Sequence, residues 1–209
     1  MSVAQTAPSD AQIQAARRVR WLSWFSLAYM TAEGGIAITA GVVAGSIALI
    51  GFGIDSVIEG IASLIIVWRF SGSRMFSEAA ENRAQKLVAI QFFILAPYIA
   101  VEAVQKLLTG ERPEVSIVGI VLTASSLLVM PWLGRAKIKL SKVLNSAAAK
   151  GEGRQNVLCA YLSAAVLAGL LGNAFFGLWW LDPLAALYIA YVAVQEGREA
   201  WRGDDCGHH

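Results

Sequence analysis

Two acidic side chains, Asp55 and Glu59, lie four residues apart within the apolar stretch GSIALIGFGIDSVIEGIASLIIVW. Residues with this spacing share one face of a helix, about 5–6 Å apart at Cβ, so both carboxylates could bind one cation. Carboxylates within a membrane are costly and usually line a polar site, so the pair is a candidate ion or proton pathway. Without a metal, two such close carboxylates cannot both ionise cheaply, and the pair is expected to hold a proton that a divalent cation displaces.

A second pair with the same spacing, Gln155 and Cys159, lies in the segment GRQNVLCAYLS. One thiolate, two carboxylates and an amide oxygen would together suit a borderline divalent ion such as zinc, cobalt or cadmium. A buried cysteine more often packs as a small apolar side chain, and this alternative stays open for Cys159. Counting along the helices places Cys159 about 10 Å deeper than Asp55. Helix tilt would close this gap, as would an earlier start of the fifth helix with Arg154 facing a water-filled cavity.

Two further acidic residues, Glu33 and Glu102, fall within apolar runs, roughly 9–15 Å below the external ends and at a depth similar to that of Asp55. Each could extend a proton relay or add a ligand. For Glu102 the alternative is an ion pair with Lys106, four residues further on. Glu33 has no such neighbour, so an exchanger of protons and organic cations built on this single glutamate is a further alternative. No second aspartate lies within another span, which excludes the catalytic dyad of an intramembrane aspartyl protease.

Membrane-spanning helices must position these residues. The chain has 209 residues, of which 56% are hydrophobic and only 15% charged, which excludes an ordinary soluble domain. At about 20 residues per crossing, the apolar runs predict an all-α integral membrane protein with six transmembrane helices. The predicted spans are residues 21–40, 44–68, 87–108, 115–133, 155–177 and 183–197. Around them we expect a flexible polar N-terminus over residues 1–16, a transmembrane domain over 17–202 and a short tail over 203–209.

Basic residues indicate how the chain is oriented. Of 17 Lys and Arg residues, all but Lys106 and Arg112 lie in the termini or in the second and fourth connections. The positive-inside rule therefore predicts that both termini are cytoplasmic in a multi-pass protein of the plasma (inner) membrane. The basic segment GRAKIKLSKVLNSAAAKGEGR, which includes Lys137, is accordingly interpreted as a cytoplasmic loop and not as a nucleic-acid-binding segment.

The two spaced pairs, six spans and cytoplasmic termini together resemble the cation diffusion facilitator family. The segments that carry the resemblance are GSIALIGFGIDSVIEGIASLI and QNVLCAYLSAAVLAGLLGNAFFGLWWLDPLAALYIAYVAVQEGREAW. Members of that family pair D-x-x-x-D with H-x-x-x-D to bind a divalent cation and exchange it for protons. By position, Asp55 and Glu59 match the first pair, Gln155 stands at the usual histidine and Cys159 at the usual aspartate.

The resemblance implies a carrier, not an enzyme, that exports a divalent transition metal against protons and acts as a homodimer. Zinc is the first expected substrate, with cobalt, cadmium, manganese and iron as alternatives, and no organic cofactor is implied. Losing the histidine removes a group that titrates near neutrality, and gaining Cys159 softens the ligand set. Only GDDCGHH follows the last helix, where the family usually has a cytoplasmic metal-binding domain, so we interpret the chain as a transmembrane-only member. The rival interpretation is a metal-binding membrane protein that regulates or partners other proteins without transport.

Overall fold

The computed structural model describes residues 8–44, 47–110, 117–176 and 180–202. These ranges contain no β-strand, and a short 3-10 helix (Gly72–Arg74) connects the second and third of their six α-helices. The helices are α1 (Asp10–Ala44), α2 (Ile47–Arg69), α3 (Glu78–Thr109), α4 (Ile117–Leu144), α5 (Ala147–Phe176) and α6 (Leu181–Arg202). Each predicted span coincides with one helix, which confirms the prediction of an all-α membrane protein.

The helices combine an apolar outer surface with a polar interior. In the described part of the chain, α1 to α4 are each long and apolar enough to cross a membrane. On α2, the apolar side chains of Val57, Ile61 and Leu64 are exposed, whereas Asp55 and Glu59 are buried. This arrangement is expected when lipid surrounds a helix on one side and protein lines a polar site on the other.

Four helices enclose the polar interior. The most extensive contacts join α1 to α2, α4 to α5 and α3 to α6. Further contacts of α1 with α4 and of α2 with α5 close a four-helix bundle, and α3 packs against α2 and α5 on one side of it. The α2 and α5 helices, which carry the two spaced pairs, therefore lie next to each other within the bundle.

The first half of the chain recurs in the second half after 100 residues. Helices α1 and α4 end at residues 44 and 144, and helices α2 and α5 begin at residues 47 and 147. The residue type is the same at a position and 100 residues later for positions 26, 30, 34, 38, 53, 57 and 63. Because the repeat unit contains three helices, an odd number, α4 crosses the membrane in the direction opposite to that of α1, as in the inverted repeats of many carriers.

Glycines set the close approach of both helix pairs. A Cβ atom on Gly34 would lie 3.0 Å from the backbone oxygen of Gly53, where α1 meets α2. At the corresponding place in α4 and α5, a Cβ atom on Gly134 would lie 2.7 Å from the backbone oxygen of Gly153. Small residues allow such contact between membrane helices. Equivalent glycine contacts thus join α1 to α2 and α4 to α5.

The interpretation of the basic segment as a loop is wrong. Helix α4 continues to Leu144 and α5 begins at Ala147, so only residues 145 and 146 connect them. Lys137 is a fully buried residue of α4, because Glu152 neutralises its charge inside the bundle. At the N-terminus, α1 begins at Asp10, so residues 10–16 are helical. Residues 1–7 and 203–209 lie outside the described residues.

Candidate metal centre

Residues of both predicted pairs meet between α2 and α5. Asp55, Glu59, Gln155 and Cys159 are all buried, with 2–4% of their surface exposed. The thiol of Cys159 lies near enough to the carboxylate of Glu59 to interact with it, and Glu59 also interacts electrostatically with Asp55. This interaction relates the second member of each pair, so an acid and a thiol are neighbours at the centre of the bundle.

The earlier start of α5 closes the gap in depth that the sequence left between the pairs. Glu59 lies ten residues before the end of α2, and Cys159 lies twelve residues after the start of α5. These distances along the chain correspond to about 15 and 18 Å from the same side of the bundle. Arg154 does not obstruct this arrangement, because its guanidinium binds Glu196 on α6 at 2.5 Å.

Three of the predicted ligands carry buried polar atoms without a partner. These atoms are Asp55 Oδ1, Glu59 Oε2 and both amide atoms of Gln155; in the described ranges only Gln91 Oε1 and Ser163 Oγ share this condition. A buried polar atom without a hydrogen bond costs about 1–3 kcal/mol, so a concentration of them requires an explanation. Oxygen atoms of carboxylates and amides facing a thiol form a donor set suited to a cation.

The four-ligand set itself stays a prediction. Over the ranges that the structure describes, no three His, Cys, Asp or Glu side chains are grouped closely enough to hold a metal ion. Cys159 also belongs to a small apolar cluster with Met30 and Met130, so its surroundings are compatible with packing as well as ligation. Metal-binding measurements on variants must separate these two roles.

Glu33 is enclosed by hydroxyl groups from three helices. Its carboxylate accepts hydrogen bonds from Ser56 on α2 at 3.0 Å, from Ser126 on α4, and from Tyr29 on α1 at 3.4 Å. Glu33 is only 2% exposed and interacts electrostatically with Asp55. The arrangement makes Glu33 a link between α1, α2 and α4 beside the candidate centre.

Glu102 lies nearer the surface of the bundle. Its carboxylate pairs with the ammonium group of Lys106 at 3.2 Å, which is the alternative that the sequence offered. Its side chain is 30% exposed, whereas the four predicted ligands are buried. Glu102 still interacts electrostatically with Asp55, so it contributes negative charge close to the centre.

A buried ion pair on the other side of the centre was missed by the sequence interpretation. The ammonium group of Lys137 donates hydrogen bonds to Glu152 at 2.7 Å, Ser26 at 2.6 Å and Asn156 at 3.0 Å. Glu152 also accepts a hydrogen bond of 2.7 Å from Ser23. The ion pair is at most 1% exposed, and it joins α1, α4 and α5.

Together these features define a multi-pass α-helical membrane protein with an acid and thiol centre between two of its helices. Comparison with protein families gives the same class: the cation efflux transmembrane domain matches residues 23–202, and the chain belongs to this family. This match includes both spaced pairs and confirms the family resemblance read from the sequence.

Two curated relatives extend the comparison. The chain is 25% identical to transmembrane protein 163 of Xenopus laevis over 185 residues, which cover 87% of this chain and 65% of that protein. It is 22% identical to the uncharacterized transporter sll1263 of Synechocystis over 195 residues, which cover 90% of this chain and 63% of that protein. The chain thus spans slightly less than two thirds of the length of both relatives.

Proposed function

We propose that the protein is a carrier that exports a divalent transition metal, zinc foremost, in exchange for protons. Asp55, Glu59, Cys159 and Gln155 would bind the ion between α2 and α5. One observation carries the proposal: the thiol of Cys159 interacts with Glu59 where Asp55 and Gln155 carry buried oxygen atoms without a partner. Membership of the cation efflux family supports a cation as the substrate.

Exchange with protons follows from the chemistry of the proposed ligands. Carboxylates and a thiol must be deprotonated to bind a metal, so binding releases protons. The apposition of Asp55 and Glu59 in a buried site favours retention of a proton when the metal leaves. Glu33 would relay protons, because it lies beside Asp55 and is hydrogen bonded to three hydroxyl groups. Glu102 would attract cations towards the centre from the outside.

The orientation and assembly that we propose follow from charge and family. The distribution of Lys and Arg supports cytoplasmic termini in the plasma (inner) membrane. The resemblance to cation diffusion facilitators supports a homodimer. In this orientation α5 begins on the cytoplasmic side, so metal would enter from the end that contains Lys137 and leave past Glu33.

Titration calorimetry of the purified protein with zinc, cobalt and manganese between pH 6 and 8 tests the binding site. Using two buffers of different ionisation enthalpy measures the protons released. We expect binding with proton release in the wild type, and its loss in Asp55→Asn and Cys159→Ser. Glu78→Gln removes an exposed carboxylate at the start of α3 and is the matched control, which should bind normally.

Flux in proteoliposomes tests transport itself. Metal uptake coupled to proton movement, absent from the double variant Asp55→Asn/Glu59→Gln, is the expected result. Binding without flux would contradict transport and favour the metal-binding partner protein. Proton release driven by organic cations and abolished by Glu33→Gln alone, without metal binding, would instead identify an exchanger of protons and organic cations.

A further inference from the structure

Two buried clusters occupy corresponding places in the two halves of the chain. The outer clasp consists of Glu33 with Ser56 and Ser126, and the inner clasp of Lys137 with Glu152, Ser26 and Asn156. Adding 100 to the number of Ser26 gives Ser126, and adding 100 to Ser56 gives Asn156. The polar partners of the buried acid in one clasp thus correspond to those of the buried base in the other.

Each clasp joins α1 and α4 to one ligand-bearing helix. The outer clasp reaches α2 through Ser56, next to Asp55, and the inner clasp reaches α5 through Asn156, next to Gln155. The contacts are also reciprocal: Ser26 of α1 binds the charged residue of α4, and Ser126 of α4 binds the charged residue of α1. Such reciprocity is the property of an inverted repeat.

The two clasps flank the second member of each pair. Asn156 of the inner clasp lies three residues nearer the start of α5 than Cys159, and Ser56 of the outer clasp lies three residues nearer the start of α2 than Glu59. Because α2 and α5 begin on opposite sides of the bundle, Glu59 and Cys159 lie between the clasps, whereas Asp55 and Gln155 lie level with them. Both clasps are closed here, and the four proposed ligands are at most 4% exposed.

We propose that the two clasps are the gates of the carrier. The inner clasp closes the centre to the side where α5 begins, and the outer clasp closes it to the opposite side. This inference rests on the proposed transport function, because gates that open in turn are what a carrier requires. Opening the inner clasp separates Lys137 from Asn156 and frees the segment of α5 that carries Gln155, while the outer clasp keeps Asp55 in place.

Cys159 provides a reporter of access from each side. In a Cys206→Ser background it is the sole cysteine, because the chain contains only two. Everted and right-side-out vesicles are treated with a charged, membrane-impermeant methanethiosulfonate, and the rate of Cys159 modification is measured from each face. This rate does not depend on metal transport, so the gates and the proposed function can fail separately. Metal flux in the wild type, together with clasp variants in which the rate of Cys159 modification is unchanged, would reject only the gates.

The double variant Lys137→Met/Glu152→Met opens the inner clasp without leaving a buried unpaired charge. We expect modification from the face where α5 begins to accelerate at least tenfold, and modification from the other face to stay unchanged. Ser26→Ala, which removes one acceptor of Lys137, is a milder variant for which we expect an acceleration of about threefold on the same face only. Ser163→Ala, on α5 but outside both clasps, is the matched control.

Glu33→Leu provides the mirrored test, because leucine stands at the corresponding position 133. We expect this variant to accelerate modification from the opposite face only. Equal acceleration from both faces in the inner-clasp variants would overturn the proposal, since a merely structural ion pair would loosen the bundle without preference for a side. Unchanged rates from both faces would overturn it as well.

Discussion

Gly134→Ala tests the close approach of α4 and α5. The added Cβ would lie 2.7 Å from the backbone oxygen of Gly153 and 2.6 Å from Cγ2 of Val157. Ordinary contacts between such atoms are about 3.5–4.0 Å long, so the helices must separate by about 1 Å. Overpacking of this kind costs about 1–3 kcal/mol. The higher helix propensity of alanine offsets up to about 1 kcal/mol of this cost, so we expect the free energy of unfolding to decrease by about 1–2 kcal/mol.

Thermal unfolding in detergent, followed by circular dichroism, measures this loss as a decrease in Tm of about 2–8 °C for a chain of this size. Gly35→Ala is the matched control, because a Cβ there meets nothing within 4 Å, and it should leave Tm unchanged or raise it. Gly34→Ala, with a contact of 3.0 Å to Gly53, should fall between the two. A Gly134→Ala protein as stable as Gly35→Ala would refute the argument that these glycines hold the helix pairs together.

Three further results are expected. Lys137→Met should destabilise the protein by about 3–5 kcal/mol, because it leaves Glu152 buried and unpaired. The double variant Lys137→Met/Glu152→Met should recover most of that loss. A double variant whose decrease in Tm equals the sum of the decreases of the two single variants would contradict the ion pair. Cobalt bound by the wild type should give a near-ultraviolet thiolate charge-transfer band that Cys159→Ser abolishes; a band that persists would leave Cys159 a packing residue. Apparent zinc affinity should rise from pH 6 to 8 because the ligands must lose protons, and calorimetry showing no dependence on pH would contradict exchange.

Short-range spacing in the sequence was sufficient to find the candidate ligands. Asp55 and Glu59 are separated by one helical turn, as are Gln155 and Cys159, so each pair can be recognised without knowing its tertiary neighbours. Apolar runs likewise predicted the helices, because lipid requires apolar surface along the whole crossing. How the pairs meet depends on the relative depth of α2 and α5, which spacing within one helix does not specify.

Buried Lys137 shows where reasoning from hydropathy fails. Rules for membrane topology assign a lysine between apolar runs to a loop, since an isolated charge in lipid is costly. Glu152 removes that cost, but it lies 15 residues away on another helix, at a spacing typical of no local motif. The three hydroxyl groups around Glu33 also come partly from other helices, so neither cluster had a local signal.

The repeat over 100 residues was a signal that the sequence did contain. Identical residues at both copies of positions 26, 30, 34 and 38 relate α1 to α4 without any gap. Aligning the halves in this way predicts that α5 begins at residue 147, as α2 begins at residue 47, and removes the apparent difference in depth between Cys159 and Asp55. It also places Gln155 at the counterpart of Asp55 and Cys159 at the counterpart of Glu59.

Inverted halves have a thermodynamic consequence for a protein with two alternating states. If both halves were identical, rotation about the internal two-fold axis would convert the inward-facing state into the outward-facing state. The two states would then have equal free energy in a symmetric bilayer. Any bias between them must therefore arise from positions at which the halves differ. Among the buried positions these include Glu33 opposite Leu133 and Lys137 opposite Ala37. In the proposed carrier, exchanging the residues at all such positions would invert the preference between the two states without adding any residue type that the molecule lacks.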